Sequence, residues 1–259
     1  MAISSLNGHH PTHGAASRAA LLVIVPAYNE AANIAYVVEG VRQDVPYADV
    51  LVVDDGSCDG TGQAARRAGA VVLSLPFNLG IGGAVQAGFK FAHRLGYPFA
   101  ARMDADGQHN PRDLHTLLEV VRSGVSDVAV GSRFAHAVPD RATPFIRRVG
   151  CLGFAIVVSG LTGQPARDTT SGMQCLNRRA LACFSHYYPQ DYPEVEARII
   201  LHRARLRVVE VPVVMRPRRA GRSSINRPRA VYYVFKVLLA TLIAAVREPW
   251  TEGGLEYAA

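Results

Sequence analysis

The chain alternates short, wholly apolar runs with segments whose apolar residues recur every three or four positions. Residues 21–26, LLVIVP, form a continuous apolar run of the kind a parallel strand adopts when both its faces are covered. Residues 50–53, VLVV, repeat that pattern, and shorter runs follow at 70–75, 99–103 and 127–130. Between the first two, Ile34, Val37, Val38 and Val41 fall at helical spacing, with Asn29 as the expected cap. Helices are also expected after DGSCDGT, in NLGIGGAVQAGFKFA and over 111–122, where Pro111 suits a first turn. Strand, loop and helix thus succeed one another four or five times. That order predicts an α/β fold, a mostly parallel sheet with helices on both faces.

Beyond Gly131 the pattern changes. An apolar helix is expected over 145–161, flanked by Arg147 and Arg148, and RDTTSGMQCLN reads as a turn leading into a short strand. A helix over 193–203 carries Glu194 and Glu196, and another strand follows at 207–213. A last helix over 229–247 holds the longest apolar stretch, 231–246, interrupted by Lys236. It is shorter than the roughly 20 residues that cross a bilayer.

The segmentation gives a polar N-terminal tail (1–20), an α/β domain (21–226), an amphipathic helix suited to a membrane interface (227–247) and a flexible tail (248–259). The N-terminal segment lacks the apolar core of a classical signal peptide, and its His9, His10 and His13 read as part of a disordered tail. With 259 residues, 49% of them hydrophobic, the chain has enough apolar surface for a full core. A formal charge of +7 favours anionic partners, and much of the excess falls in the basic stretch RPRRAGRSSINRPRA. No nucleic-acid-reading motif accompanies it, so phosphates of small molecules or lipids are expected instead. The four cysteines show neither metal-ligand spacing nor the density of a disulfide framework, which points to a reducing, cytoplasmic setting.

The densest candidate chemistry lies in FAARMDADGQHNP, residues 99–111, where an apolar strand runs into Asp104 and Asp106. Alternate side chains of an extended chain point the same way, so both carboxylates can converge on one ion. Gly107 permits a turn and Gln108 adds an oxygen. Such donors suit Mg2+ or Mn2+, which in turn suits a diphosphate, and the end of a strand is where open α/β sheets bind ligands. A second acidic turn, Asp54 and Asp55, closes the 50–53 strand. The GxGG of NLGIGGAVQAG invites a dinucleotide reading, but that fingerprint belongs in the first strand-to-helix turn, which here reads PAYNE. Close helix packing by small residues is the alternative.

VPAYNEAANI, VVDDGSCDGT, NLGIGGAVQAG, DADGQHNP, GSRF, DTTSGMQCLNRRAL and RPRRAGRSSIN follow one another in an order that resembles the family-2 nucleotide-sugar glycosyltransferases of GT-A fold. The branch it resembles is that of the polyprenyl-phosphate, dolichol-phosphate mannose synthase-like transferases, over most of the chain. The resemblance implies a hexosyltransferase that moves a sugar, with inversion, from a nucleoside diphosphate such as GDP-mannose or a UDP-hexose to a polyprenyl phosphate. It implies that Pro26, Tyr28, Glu30, Val53 and Asp55 hold the nucleoside and that Ala105 lies against the donor. Asp104, Asp106 and Gln108 would form the metal-diphosphate centre with Mg2+ or Mn2+. Arg133 and Arg218 would meet the donor diphosphate or the acceptor phosphate, with Arg222 and Ser224 beside the latter. Ser224 stands where family members often carry lysine. Asp168 would position the acceptor, or serve as base if the acceptor were a hydroxyl. A lipid acceptor further implies peripheral contact with the cytoplasmic membrane face, for which the 227–247 helix is suited, although that helix would equally serve a core or a homo-oligomer. Two other readings use the same motifs, a non-catalytic nucleotide-sugar binder and a nucleotidyltransferase.

Overall fold

The computed structural model describes residues 20–135, 145–164, 166–169, 171–190, 193–216 and 243, and the side chains of 145–152 are outside that description. The expected N-terminal tail apart from Ala20 and the 227–247 helix apart from position 243 therefore lie outside the described residues, as do Arg218, Arg222 and Ser224.

In chain order the elements are β1 (Leu21–Ala27), α1 (Ile34–Asp44), β2 (Ala48–Asp54), α2 (Thr61–Arg67), β3 (Val71–Ser74), α3 (Gly80–Arg94) and β4 (Phe99–Arg102). They continue as α4 (Asp113–Arg122), β5 (Val128–Ser132), α5 (Phe145–Thr162), β6 (Gln174–Asn177), α6 (Arg178–His186), α7 (Pro193–Arg203) and β7 (Val208–Pro212). The strands form one sheet in the order β3-β2-β1-β4-β6-β5-β7. β6 runs antiparallel to both its neighbours, and every other pairing is parallel.

The continuous apolar runs are explained by burial on two faces. Leu21, Val23 and Val25 of β1 pack with Ile34, Val37, Val38 and Val41 of α1 and with Leu114, Leu117 and Val121 of α4. Leu22 and Ile24 point the other way, toward Val85 and Phe89 of α3, Phe184 of α6 and Ile200 of α7. Each fully buried side chain of this kind stabilises the fold by roughly 1.5–3 kcal/mol. Helices cover both faces of a mostly parallel sheet, as the pattern predicted.

Two local expectations are corrected. Asn29 does not cap α1. It sits at φ 53°, and the helix starts only at Ile34 after a turn. Its amide instead joins two loops, because its N–H donates to Ser57 Oγ (3.0 Å) and its Oδ1 accepts from the Cys58 N–H (3.1 Å). The second correction is α6, a helix that the alternation of runs did not suggest. It is capped by Asn177, whose side chain accepts from the Ala180 N–H. The small residues of NLGIGGAVQAG serve close packing. A Cβ on Gly82 would collide with the backbone oxygens of Pro189 and Gln190, and one on Gly88 would collide with Ile24.

Candidate active site

Because β1, β2, β4, β5 and β7 point the same way, their trailing loops gather along one edge of the sheet. The antiparallel β6 starts at that edge, so the segment leading into it, around Asp168–Met173, arrives there as well. The first two loops are tied together: the Glu30 N–H donates to Thr61 Oγ1 (2.9 Å) and the Ala31 N–H to Asp59 Oδ2 (3.1 Å). Pro26 and Val53 are register partners inside β1 and β2, both buried, whereas Tyr28 is half exposed. Asp55 is buried, and its two carboxylate oxygens accept the backbone N–H groups of Leu79 (2.7 Å) and Gly80 (3.0 Å). The start of α3 is therefore already capped by a carboxylate, which explains why its glycines do not present an empty phosphate cradle. Burial raises the Asp55 pKa above its usual range, and those two amides counter it.

The loop after β4 carries the acidic pair. Asp104 is about a third exposed (32% of its side chain), and Asp106 is buried, with its Oδ1 accepting the Gln108 N–H at 3.0 Å. Ala105 packs into the core beneath them. Gln108 turns toward the start of the basic stretch, with its Nε2 donating to the Arg216 carbonyl (3.3 Å) and its own carbonyl accepting the Arg216 N–H (2.8 Å).

Asp104 is gripped from several sides. Arg102 Nη2 lies 3.2 Å from its Oδ1, and His109 Nε2 lies 3.4 Å from its Oδ2. A Cβ on Gly172 would collide with both its oxygens. Burial works against the Asp104 charge, but Arg102 and His109 outweigh it and hold the carboxyl well below the usual carboxylate range. Arg102 itself is almost wholly buried and reaches past Asp104 to Glu194 Oε1 (2.9 Å) and Tyr188 Oη (3.2 Å). Burial pushes the Tyr188 hydroxyl up to about 12, although the nearby Arg102 pulls the other way.

On the far side of β6, Arg133 and Asp168 meet. The guanidinium donates to both carboxylate oxygens at 2.8 Å, and the Arg133 backbone N–H adds a third bond at 3.1 Å. The pair is buried, with 5% and 0% side-chain exposure. Glu210 braces this region: its Oε1 accepts from the Arg167 and Asp168 backbone N–H groups and from Arg198 Nη2. A cavity of about 10 Å³, room for about one water, lies between the two clusters, lined in part by Asp168, Thr169, Ser171, Gln174, Tyr188 and Glu194.

The structure thus brings Asp104, Asp106, Gln108, Arg133 and Asp168 to one sheet edge and seats Pro26, Val53 and Asp55 along the same edge. Sequence reading passed over Arg102, Gly172, Gln174 and Tyr188. The signal for Arg102 was available, since a charge inside an otherwise apolar strand is nearly always paired. Among the described residues, no three His, Cys, Asp or Glu side chains converge as a metal cage.

The profile of Glycosyl transferase family 2 matches residues 22–184. This chain belongs to that family. Polyprenol monophosphomannose synthase of Mycolicibacterium smegmatis is 32% identical over 231 residues, which cover 83% of this chain and 84% of that protein. Undecaprenyl-phosphate mannosyltransferase of Micrococcus luteus is 32% identical over 220 residues, 80% of this chain and 87% of its own. Among solved structures, glucosyl-3-phosphoglycerate synthase of Mycobacterium tuberculosis in complex with Mn2+, UDP-glucose and phosphoglyceric acid superposes with a TM-score of 0.68. That likeness has 21% identity, covers 89% of this chain and 81% of the other, and shows the fold. The protein is a glycosyltransferase of GT-A fold, as the ordered motifs implied. Among its described residues no helix is long and apolar enough to cross a membrane.

Proposed function

We propose that this glycosyltransferase moves a hexose from a nucleoside diphosphate to a polyprenyl phosphate, with inversion at the anomeric carbon. The observation that carries the acceptor is the near full-length similarity to enzymes named for polyprenol and undecaprenyl phosphate. Residues 21–226 act as the catalytic domain. The donor lies across the loops after β1, β2 and β4, with its nucleoside toward Pro26, Tyr28, Glu30, Val53 and Asp55.

The donor set at the end of β4 fits a hard divalent cation. Asp104 is kept ionised and partly open to solvent, and Asp106 stands two residues on in the same loop. Two carboxylates would leave coordination positions open to the diphosphate and water. Asp104 and Asp106 would hold Mg2+ or Mn2+, with the Gln108 side chain at the rim. When bound, the ion supplies Lewis-acid stabilisation of the leaving diphosphate.

The protein's own groups do the rest. Arg133, oriented at three points by Asp168, would meet a donor or acceptor phosphate from a fixed position as one half of a buried ion pair. Arg218, Arg222 and Ser224 lie in the basic stretch that starts at Arg216, itself docked on Gln108, and complete the phosphate contacts. Asp168 and Glu194, the carboxylates nearest to a base in position, are both engaged by arginines. That favours an acceptor already ionised at neutral pH, as a lipid phosphate with a second pKa of about 6 is, over a hydroxyl that must lose a proton. The 227–247 helix brings the enzyme to the cytoplasmic membrane face, where the acceptor resides.

Incubating the purified protein with a panel of nucleotide sugars, Mg2+ or Mn2+ and polyprenyl phosphate tests this by mass spectrometry. A polyprenyl phosphohexose is expected. Transfer confined to soluble hydroxyl acceptors would overturn the acceptor assignment.

A further inference from the structure

Arg102 occupies a core position. Its neighbours in β4, Ala101 and Ala100, are fully buried against the two faces of the sheet, and its register partners are Ile24 of β1 and Gln174 of β6. Desolvating a guanidinium is costly even when it is paired, and an apolar side chain of similar size is often as stable or more so. The arginine is therefore poorly explained as a stabilising element. What it does is geometric. Arg102 and Asp104 are two apart on an extended segment and share a face. One nitrogen, Nη2, donates both to Asp104 Oδ1 and to Glu194 Oε1 at the first turn of α7, while Nη1 donates to the Tyr188 hydroxyl.

We propose that Arg102 is a positioning residue of the donor site, a buried guanidinium that fixes the Asp104 carboxylate and fastens it through Glu194 to α7. The assignment rests on the reading of Asp104 as a ligand of the divalent cation. With Arg102 on one oxygen, His109 beside the other and the Gly172 backbone against the group, the carboxylate has little freedom to rotate. Glu194 has a second task. A lone arginine would neutralise the carboxylate it positions, and Glu194 offsets this by giving the Arg102 guanidinium a second carboxylate partner. Orientation is gained and the site still attracts a cation.

The test is direct binding of Mn2+, followed by paramagnetic resonance of the free ion, with GDP or UDP present. Wild type is compared with Arg102→Gln, Arg102→Lys, Glu194→Gln and Asp104→Asn. Arg102→Gln is expected to weaken Mn2+ binding by about tenfold or more, in the range typical for groups that orient a metal ligand. Arg102→Lys should recover part of that loss. Glu194→Gln, nearly isosteric, should weaken binding in the same direction at close to wild-type melting temperature. A purely structural role would lower the melting temperature and leave the Mn2+ affinity alone. Unchanged or tighter Mn2+ binding by folded Arg102→Gln overturns the proposal. If that variant fails to fold, unchanged binding by Glu194→Gln overturns it. Loss of binding in Asp104→Asn with retention in the other variants defeats the role of Arg102 alone. Wild-type binding by Asp104→Asn defeats the metal reading as well.

Discussion

A single methyl group at residue 172 should disable the enzyme without unfolding it. An added Cβ there would lie 2.5 Å from Asp104 Oδ1 and 2.6 Å from its Cγ, far inside van der Waals contact, on a backbone that does not require glycine for its conformation. Either the 171–173 segment shifts or the carboxylate turns. The segment leads directly into β6, which is paired on both sides, so moving it strains the sheet. Overpacking of that kind costs about 1–3 kcal/mol. Turning the carboxylate breaks its contacts with Arg102 and His109 and would shift an oxygen of the proposed cation site by about 1 Å, a misplacement that can cost about 100-fold in rate. Gly172→Ala is thus expected to lose about 100-fold in kcat at saturating Mn2+ while losing at most about 3 kcal/mol of stability. Steady-state transfer assays and urea unfolding on the same preparation measure both. Wild-type kcat together with a wild-type unfolding midpoint would refute the close approach of Gly172 to Asp104.

Other expectations follow from the buried ion pairs and thiols. Asp168→Asn leaves Arg133 without its charged partner in a buried site and should destabilise the protein by about 3–5 kcal/mol in urea titrations. Asp127 accepts from the Arg207 N–H and Asn177 Nδ2 at 2.8 Å each, and despite its burial these bonds, with Arg179 and Arg207 nearby, lower its pKa. Its stabilising contribution is complete above the unfolded value of about 3.9 and fades as pH falls through the lower folded value. Asp127→Asn should therefore reduce stability at pH 6 and flatten its loss between about pH 5 and pH 2, as read by chemical denaturation. Burial pushes the thiols of Cys175 and Cys183 up to about 12, whereas Cys58 is exposed. Alkylation at pH 8 followed by peptide mapping should label Cys58 in the native protein and the other two only after unfolding.

The sheet was legible because its strands are covered on both faces, so LLVIVP and VLVV carry no polar interruption. The helices α1 and α4 were legible from their spacing. The antiparallel setting of β6 was not, since strand direction depends on which edge a connection returns to, and QCLN carries no mark of it. α6 was missed because only its cap, Asn177, and a short apolar stripe announce it. At the site, DADGQ marked itself by strand-end carboxylates. The partners that set its chemistry come from distant segments of the chain: Gly172, Tyr188 and Glu194 meet Asp104 or Arg102 only through the fold. Asp55 shows the converse, a residue expected to face the donor whose oxygens are also the cap of α3.

The most direct test of the central claim is the rate of hexose transfer to polyprenyl phosphate by wild type, Asp104→Asn and Asp106→Asn, with chelator and after Mn2+ is restored. Wild type should form the lipid-linked sugar, lose the activity on chelation and regain it with Mn2+, and both variants, as losses of a ligand, should fall by more than the roughly 10–100-fold that removing an outer partner of a ligand costs. Undiminished transfer by either variant, or by chelated wild type, would contradict a metal-diphosphate centre at the end of β4.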